Sequence, residues 1–242
     1  EVRIARIIGP ANEAGTDITA LLYENEIRQE FPEPVIEEVR KVSDHVTEKE
    51  LEGRSDFRAL PTVTIDGDDS KDFDDAITVE KTKDGYRLYV HIADVSHYVK
   101  ENSPLDQEAY LRGTSVYVVD RCVPMLPFEL SNGICSLNPD VDRLTLSCVM
   151  DIDKTGKVKK YDIVPSVIHS DRRCTYNKVN QLMDHDPQIE KEYADVKEML
   201  LDFEELAKQL EKQTEKRGAI NFSTKEPKIT LNKKGKPVDV TV

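Results

Sequence analysis

The chain has 242 residues and a formal net charge of −13, with 33% charged residues, 6% aromatic residues and no tryptophan. No apolar run approaches the roughly 20 residues that a membrane-spanning helix needs, so a membrane protein is not expected. Because a strongly acidic chain is not the usual electrostatic partner of a nucleic acid, a nucleic-acid function would have to rest on motifs rather than on charge.

Cysteine usage and the ends of the chain set two further expectations. Four cysteines stand at positions 122, 135, 148 and 174, without the C-x-x-C spacing of a zinc site. We therefore expect reduced thiols and a cytoplasmic location. The sequence is in a strand-like pattern at its first residues and again at its last, so we expect a piece of a longer chain, truncated at both ends.

Residues 1–59 predict two short strands followed by two helices. Val2–Ile8 and Ile18–Tyr23 are apolar runs separated by turn-forming residues, and two strands do not make a stable unit by themselves. A helix is predicted over 34–42, and the capping box that begins at Thr47 predicts the start of a second helix. We interpret these two helices as a linker that leads into the domain after residue 59.

From about residue 60 onward, most predicted strands form hairpins and only two helices are predicted, so we expect an α+β domain. The predicted strands are 62–65, 76–80, 86–92, 115–119, 143–153, 157–172, 220–222, 229–231 and 238–242. The predicted helices are 104–112, capped by Ser103, and 187–217, the longest amphipathic stretch. Arg172 and Arg173, at the end of a long strand, either contact phosphate or lie at a solvated strand end.

The stretch 66–75 is the most unusual in the chain. It holds six aspartates and one lysine in ten residues, a local charge of −5, between two apolar strand-like runs. Repulsion between neighbouring carboxylates disfavours such a stretch unless cations or solvent lie among them. Oxygen ligands in a loop held by two strands are typical of a site for a hard divalent cation such as Mg²⁺, Mn²⁺ or Ca²⁺. Asp94, which ends the predicted strand 86–92, either adds a carboxylate to this site or forms a turn or helix cap.

Two alternatives compete for the acidic stretch. A solvated acidic turn needs no ligand at all. A helix–loop–helix calcium loop fails on spacing, because the sixth position counted from Asp66 is Lys71 instead of glycine and the twelfth is Ile77 instead of glutamate.

Several motifs in a fixed order resemble the ribonuclease II/ribonuclease R family, and within it the bacterial ribonuclease R proteins. The aspartates of the acidic stretch follow the pattern D-x5-D-x-D-D. The other matching segments are His91–Val95, Gly113–Tyr117, Pro124–Pro127, Leu130–Ser131, Cys135–Pro139 and Gly218–Phe222. The resemblance runs from about Pro61 to the end of the chain.

The resemblance implies a mixed α/β catalytic domain of the RNB type, preceded by the tail of an OB-fold, cold-shock-like β-barrel. Residues 1–30 would be that OB-fold remnant, 31–59 the helical linker, and 60–242 the N-terminal portion of the catalytic domain. The implied activity is processive, hydrolytic 3′→5′ degradation of RNA to nucleoside 5′-monophosphates. The implied cofactor is Mg²⁺, with Mn²⁺ as a possible substitute, and the implied partner is the 3′ end of single-stranded RNA, with no obligate protein partner.

The resemblance also assigns roles to individual residues. The catalytic residues would be four aspartates: Asp66, Asp72, Asp74 and Asp75. Asp66 and Asp75 resemble the principal metal ligands, Asp72 helps to hold a second ion, and turnover depends most on Asp74. Two divalent ions bridged by carboxylates suit phosphodiester hydrolysis, because they stabilise both the attacking and the leaving oxygen.

Two aromatic residues, Tyr117 and Phe222, occupy the places of the aromatics that clamp the terminal bases of the RNA. Aromatic stacking holds single-stranded bases without reading their sequence. Without the family, both residues would be interpreted as ordinary core residues.

Two other classes of function remain open. One is a metal-stabilised RNA-binding module without catalysis, and the other is a structural calcium-binding protein. The arginine and glutamate of the family's C-terminal catalytic half, and its C-terminal RNA-binding OB domain, have no matching position in this sequence. We therefore expect the isolated chain to be weakly active or inactive.

Overall fold

The structure is a computed structural model that describes residues 3–4, 6–220, 222 and 227–241 of the chain. The strands are β1 (Ser55–Asp56), β2 (Val63–Asp66), β3 (Asp75–Thr82), β4 (Gly85–Ala93), β5 (Val116–Tyr117), β6 (Cys122–Val123), β7 (Asp142–Asp153), β8 (Val158–His169), β9 (Arg172–Thr175), β10 (Lys228–Leu231) and β11 (Pro237–Thr241). The α-helices are α1 (Thr16–Glu24), α2 (Glu33–Val39), α3 (Val95–Tyr98), α4 (Pro104–Arg112), α5 (Tyr176–Met183), α6 (Pro187–Glu192) and α7 (Lys197–Lys216). A 3₁₀ helix, Glu48–Leu51, and an irregular helical turn, Glu129–Ile134, complete the set.

The chain divides into two compact units that are not consecutive in sequence. The first unit comprises Glu1–Arg40, Glu101–Pro127 and Asn221–Val242, and the second comprises Lys41–Lys100 and Phe128–Ile220. This division cuts across the predicted segments 1–30, 31–59 and 60–242, because the middle segment of the first unit folds with the N-terminal residues rather than with the main sheet.

The second unit is built on a seven-stranded mixed sheet in the order β1-β8-β7-β4-β3-β2-β9. The pairs β1–β8 and β2–β9 are parallel, and the other neighbours are antiparallel. Only Ser170 and Asp171 separate β8 from β9 in sequence, although these strands lie second and last in the sheet. Since so short a connection spans only about 10 Å, the sheet must curl strongly so that its two edges approach each other.

One face of this sheet carries the main apolar core. Helix α7 packs here, and its stripe residues Met199, Leu200 and Leu206 are buried, as the amphipathic pattern predicts. They pack with residues from the strands and from the helices before α7: Val63, Val79, Tyr86, Leu88, Ile152, Cys174, Leu182, Ile189, Tyr193 and Val196.

The opposite face carries a buried row of polar side chains that hydrogen-bond from strand to strand. Thr62 Oγ1 lies 2.8 Å from Thr78 Oγ1, His91 Nδ1 lies 2.5 Å from Ser147 Oγ, and Ser147 Oγ lies 2.5 Å from Ser166 Oγ. All five residues are fully buried. Burial lowers the pKa of His91 to about 4, so this histidine is neutral at physiological pH.

The first unit contains a helix pair and two small hairpins. Helix α2 packs against α4, where the backbone N–H of Leu105 donates to Glu38 Oε2 at 2.8 Å. Arg28 makes a bidentate pair with the buried carboxylate of Glu108, at 2.8 and 2.7 Å. Two antiparallel pairs, β5–β6 and β10–β11, belong to the same unit.

Several predicted elements are confirmed. The hairpin of β3 and β4, the hairpin of β7 and β8, and the hairpin of β10 and β11 all form. Ser103 accepts a hydrogen bond from the backbone N–H of Asp106 and so caps α4, and the capping box at Thr47 begins the 3₁₀ helix.

Where the structure describes the N-terminal segment, it does not contain the predicted strands. Ile18–Tyr23 lies within helix α1, because the pair Ile18 and Leu22, four residues apart, places apolar side chains on one helical face and buries Leu22. Of Val2–Ile8, residues 3–4 and 6–8 are described and form no strand, while Val2 and Ala5 lie outside the described residues. The described residues of the segment 1–30 thus form no strand, and the tail of an OB-fold there stays an expectation from the resemblance.

The single long helix predicted over 187–217 is also wrong. It is interrupted between α6 and α7 at Tyr193–Val196, where Tyr193 and Val196 are both buried in the apolar core. The turn there lets both helices bury apolar residues in one core, so tertiary packing overrides local helix propensity. Of the predicted strand 220–222, Ile220 and Phe222 are irregular, and Asn221 lies outside the described residues.

None of the helices in the described part of the chain is both long enough and apolar enough to cross a membrane.

Candidate active site

The acidic stretch is the loop that joins two neighbouring strands of the main sheet. Strand β2 ends at Asp66 and strand β3 begins at Asp75, so these two carboxylates lie at strand ends. Asp72 and Asp74 lie in the loop between them. Since β2 and β3 pair antiparallel, both ends of the loop are fixed by the sheet.

The first half of the loop is held by Arg173 of β9, the strand that runs parallel to β2. Arg173 Nη2 donates to the backbone carbonyls of Gly67 at 2.8 Å and Asp68 at 2.7 Å, and lies 3.5 Å from that of Ser70. The side chain of Asn177, in α5, donates to Asp68 Oδ2 at 2.5 Å. Two elements far along the chain thus fix residues 67–70.

The second half of the loop is held by Ser136, which is fully buried. Its Oγ accepts from the backbone N–H of Phe73 at 3.0 Å and donates to the carbonyl of Lys71 at 3.1 Å. The backbone N–H of Leu137 donates to the carbonyl of Phe73 at 2.8 Å. The Phe73 ring is buried in a small cluster with Leu137 and Ile168, so one apolar side chain anchors the middle of the charged stretch.

The pKa values of two of the four predicted catalytic aspartates are raised above the ordinary value of an aspartate. Burial raises the pKa of Asp66, and the negative charge of Asp75 adds to the rise. Asp74 is exposed to solvent on one side, but desolvation by the surrounding protein and the charges of Asp72 and Asp75 raise its pKa as well. The four carboxylates therefore lie close enough to repel one another, as their pattern predicts.

The region that contains this site matches a known family. Residues 54–242 match the family described as the RNB domain. The chain belongs to the RNB domain family. It is 49% identical over 238 residues to ribonuclease R 1 of Lactococcus lactis, covering 98% of this chain and 29% of that protein. It is 48% identical over 244 residues to ribonuclease R of Thermotoga maritima, covering 99% of this chain and 34% of that protein.

A solved structure of a ribonuclease R has the same fold. The structure of Mycoplasma genitalium RNase R in complex with ribose-methylated single-stranded RNA matches with a TM-score of 0.88 and 32% sequence identity, over 98% of this chain and 37% of that one. The fold is thus the mixed α+β fold of the RNB domain. The chain spans about a third of the length of the curated relatives that it matches.

The donor set of this RNB domain suits a hard divalent cation. Asp66 Oδ2 is buried and makes no hydrogen bond to the described residues, which leaves an oxygen lone pair for a ligand. The neighbouring groups are carboxylates, the preferred ligands of Mg²⁺ and Mn²⁺. Among the described residues, however, no three His, Cys, Asp or Glu side chains already form a metal-binding group.

The two aromatic residues predicted to bind RNA are both exposed and belong to the first unit. Tyr117, on β5, is 69% exposed, and Phe222 is 82% exposed. Neither is therefore an ordinary core residue, which was the competing interpretation of both.

Three residues that contribute to the site were missed or misassigned in the sequence. Ser136 lies inside the matching segment Cys135–Pro139. The family motif therefore identified the segment, but it did not predict that the Ser136 side chain hydrogen-bonds to the acidic loop. Arg173 was a candidate for phosphate contact, and Asn177 carried no signal. The carboxylate of Asp94, the further candidate for the acidic site, is held by Arg54 at 2.7 Å in a buried ion pair.

Proposed function

We propose that the gene product is a hydrolytic 3′→5′ exoribonuclease of the ribonuclease R type, which degrades single-stranded RNA to nucleoside 5′-monophosphates. The observation that carries the proposal is that the complete D-x5-D-x-D-D pattern lies in the loop between β2 and β3 of an RNB domain. The high identity to two ribonuclease R proteins over nearly the whole chain supports the same activity.

We assign Mg²⁺ as the cofactor, with Mn²⁺ as a possible substitute, and Asp66, Asp72 and Asp75 as its ligands. When bound, divalent ions supply an activated water and neutralise charge on the attacking and leaving oxygens. The sheet fixes Asp66 and Asp75 at strand ends, and the bonds from Arg173 and Ser136 keep the loop from spreading under its own repulsion. Asp74, between two ligands and open to solvent, is the aspartate on which turnover depends most.

Tyr117 and Phe222 would hold the RNA by stacking on its bases. Each stacked base contributes roughly 1–3 kcal/mol without sequence preference. Their exposure supports this role, since a stacking platform must present a ring face to the substrate. The net charge of −13 implies that the RNA follows a local path rather than a generally basic surface.

The remaining parts of the proposal concern location and the isolated chain. Buried thiols at Cys135 and Cys174, with pKa values raised to about 12 by burial, suit a reducing cytoplasm. The isolated chain is expected to be weakly active or inactive, because about two thirds of the length of its relatives has no counterpart in it.

A second candidate is a metal-stabilised RNA-binding module without catalysis. Release of mononucleotides from single-stranded RNA by the full-length gene product, with Mg²⁺ or with EDTA, separates the two. Release in Mg²⁺ alone supports the enzyme; tight RNA binding without release in either condition supports the module.

A further inference from the structure

Arg173 makes contacts with the acidic loop that its position in the sequence does not predict. We propose that Arg173 is a positioning residue that sets the metal affinity of the acidic loop by binding its backbone, and that it does not contact RNA phosphate. This inference rests on the proposed function, in which the loop holds divalent cations.

The physical problem that Arg173 addresses is the repulsion within residues 66–75. Six aspartates and one lysine lie in this stretch, so without restraint the loop would spread until its carboxylates were too far apart to share an ion. Hydrogen bonds from a charged guanidinium to carbonyls are stronger than neutral ones. By binding the carbonyls of Gly67 and Asp68, Arg173 fixes the chain directly after the ligand Asp66.

The charge of Arg173 acts in the same direction as its hydrogen bonds. Its positive charge offsets part of the repulsion among the carboxylates of the loop whose carbonyls it binds. The guanidinium carbon also lies 5.4 Å from the centre of the Phe73 ring, which anchors the second half of the loop. The Arg173 side chain therefore contacts both halves of the loop, and through these contacts it orients the carboxylates that would bind a cation.

The orientation of the guanidinium argues against a phosphate contact. Its Nη2 donates to backbone carbonyls of the loop and its guanidinium carbon lies 5.4 Å from the centre of the buried Phe73 ring, so the guanidinium already binds the protein's own loop. A phosphate-binding arginine would instead present its bidentate fork to the substrate.

The neighbouring residue provides a matched control. Arg172 points to the other side of β9, where its Nη2 lies 3.1 Å from both carboxylate oxygens of Asp195 and its guanidinium lies 5.1 Å from the Tyr193 ring. It has the same chemistry and sits on the same strand, but its contacts are with the segment between α6 and α7 rather than with the acidic loop.

The test is calorimetric Mn²⁺ binding to the full-length gene product without RNA, for the unmodified protein and the variants R173Q, R173K and R172Q. We expect R173Q to bind Mn²⁺ about 10–100-fold more weakly, the usual effect of removing a residue that orients a metal ligand. R173K should be intermediate, because an ammonium donates to a carbonyl but lacks the fork. R172Q should bind as the unmodified protein does.

Three further readouts distinguish positioning from general damage. R173Q should raise the Mg²⁺ concentration for half-maximal RNA degradation and lower kcat, with the KM for RNA changed less than about two-fold. Hydrogen exchange of the amides of residues 67–73 should accelerate in R173Q and stay unchanged in R172Q. If R173Q does not fold, the comparison of R173K with R172K decides by the same measurements.

Equal Mn²⁺ affinity in R173Q and R172Q would overturn the inference, and so would a raised KM for RNA with unchanged metal binding. If the unmodified gene product binds Mn²⁺ but degrades no RNA, the proposed function fails, while a specific loss of Mn²⁺ binding in R173Q still supports the positioning role. If the unmodified protein binds no Mn²⁺, both fail.

Discussion

At the scale of single residues, the sequence identifies the aspartates but not the groups that hold them. The pattern D-x5-D-x-D-D names Asp66, Asp72, Asp74 and Asp75 directly, because the spacing is local. Arg173 binds Gly67 from 106 positions along the chain, and Ser136 binds Lys71 from 65 positions away. Such contacts follow from the order of strands in the sheet, which no local pattern reveals.

The substitution Asp74→Asn tests the central carboxylate. RNA degradation by the full-length gene product should fall by more than about 100-fold, since the loss should exceed that of a residue that only orients a ligand. In EDTA the variant should melt at a higher temperature at neutral pH. The pKa of Asp74 is raised above its ordinary value of 3.8, so its ionised form destabilises the folded state above that pH, and asparagine removes this repulsion.

The control for this substitution is Asp68→Asn, in the same loop but outside the D-x5-D-x-D-D pattern. Its carboxylate accepts from Asn177, a bond that an asparagine oxygen also accepts. Activity within a few-fold of the unmodified protein is expected for Asp68→Asn. RNA degradation by Asp74→Asn at that same level would contradict the assigned role.

His91 predicts an acid-dependent loss of stability. Its folded-state pKa of about 4 lies below its ordinary value of 6.5, so the unfolded chain binds the proton more tightly between these values. The contribution is complete above pH 6.5 and is lost as the pH falls toward 4, by up to about 3 kcal/mol.

Urea unfolding at a series of pH values measures this loss. The variant His91→Gln should be less stable at pH 7 and show a shallower decline toward pH 4. His45→Gln, which replaces an exposed histidine, should keep the steep decline of the unmodified chain. Identical slopes for the unmodified chain and His91→Gln would refute the assignment.

At the scale of elements, the sequence predicts best where local geometry decides. The capped start of α4 and the turn of the β3–β4 hairpin depend on a few neighbouring residues, and both are confirmed. The run Ile18–Tyr23 is compatible with a strand and with a helix, and the break between α6 and α7 depends on the burial of Tyr193. A single sequence cannot resolve these cases, because the deciding contacts are tertiary.

Gly85, the first residue of β4, provides a test of the close approach between β4 and β7. Its φ is +154°, and an added Cβ would lie 2.1 Å from the carbonyl oxygen of Ile152 on β7. Gly85→Ala must therefore separate β4 from β7, and we expect it to destabilise the chain by at least about 2 kcal/mol.

Chemical denaturation of Gly85→Ala beside Gly53→Ala isolates the close approach. Gly53 has a φ of +75°, but no atom lies within 4 Å of the place that an added Cβ would take, so only backbone strain is added there. We expect Gly53→Ala to lose less stability than Gly85→Ala. The opposite order would show that β4 and β7 do not approach as closely as described.

At the scale of the whole molecule, the structure forms two units that are discontinuous in sequence, whereas the segments 1–30, 31–59 and 60–242 were predicted as consecutive. Residues 101–127 belong to the same unit as the N-terminal segment. The periodicity of apolar residues predicts helices and strands, but it does not predict which distant segments fold together. The four aspartates belong to the second unit and the two exposed aromatics to the first. The motif order assigns roles to all six residues without requiring the fold to be derived, and these roles stay predictions.

The overall charge, taken alone, argues against the proposed function. A net charge of −13 argues against a nucleic-acid partner, yet part of it lies in the aspartates that we assign to cation binding. Bound divalent ions would offset this part. The chemistry of the site is therefore a better guide to the substrate than the charge of the molecule.

The most direct measurement of the central proposal is a time course on single-stranded RNA labelled at its 5′ end, with the full-length gene product in Mg²⁺. We predict a ladder that shortens from the 3′ end, that is lost in EDTA, and that is lost in Asp74→Asn although this variant still binds RNA. Labelled RNA that stays intact while bound, or that is cut internally without a ladder, would contradict the proposal that this RNB domain belongs to a 3′→5′ exoribonuclease.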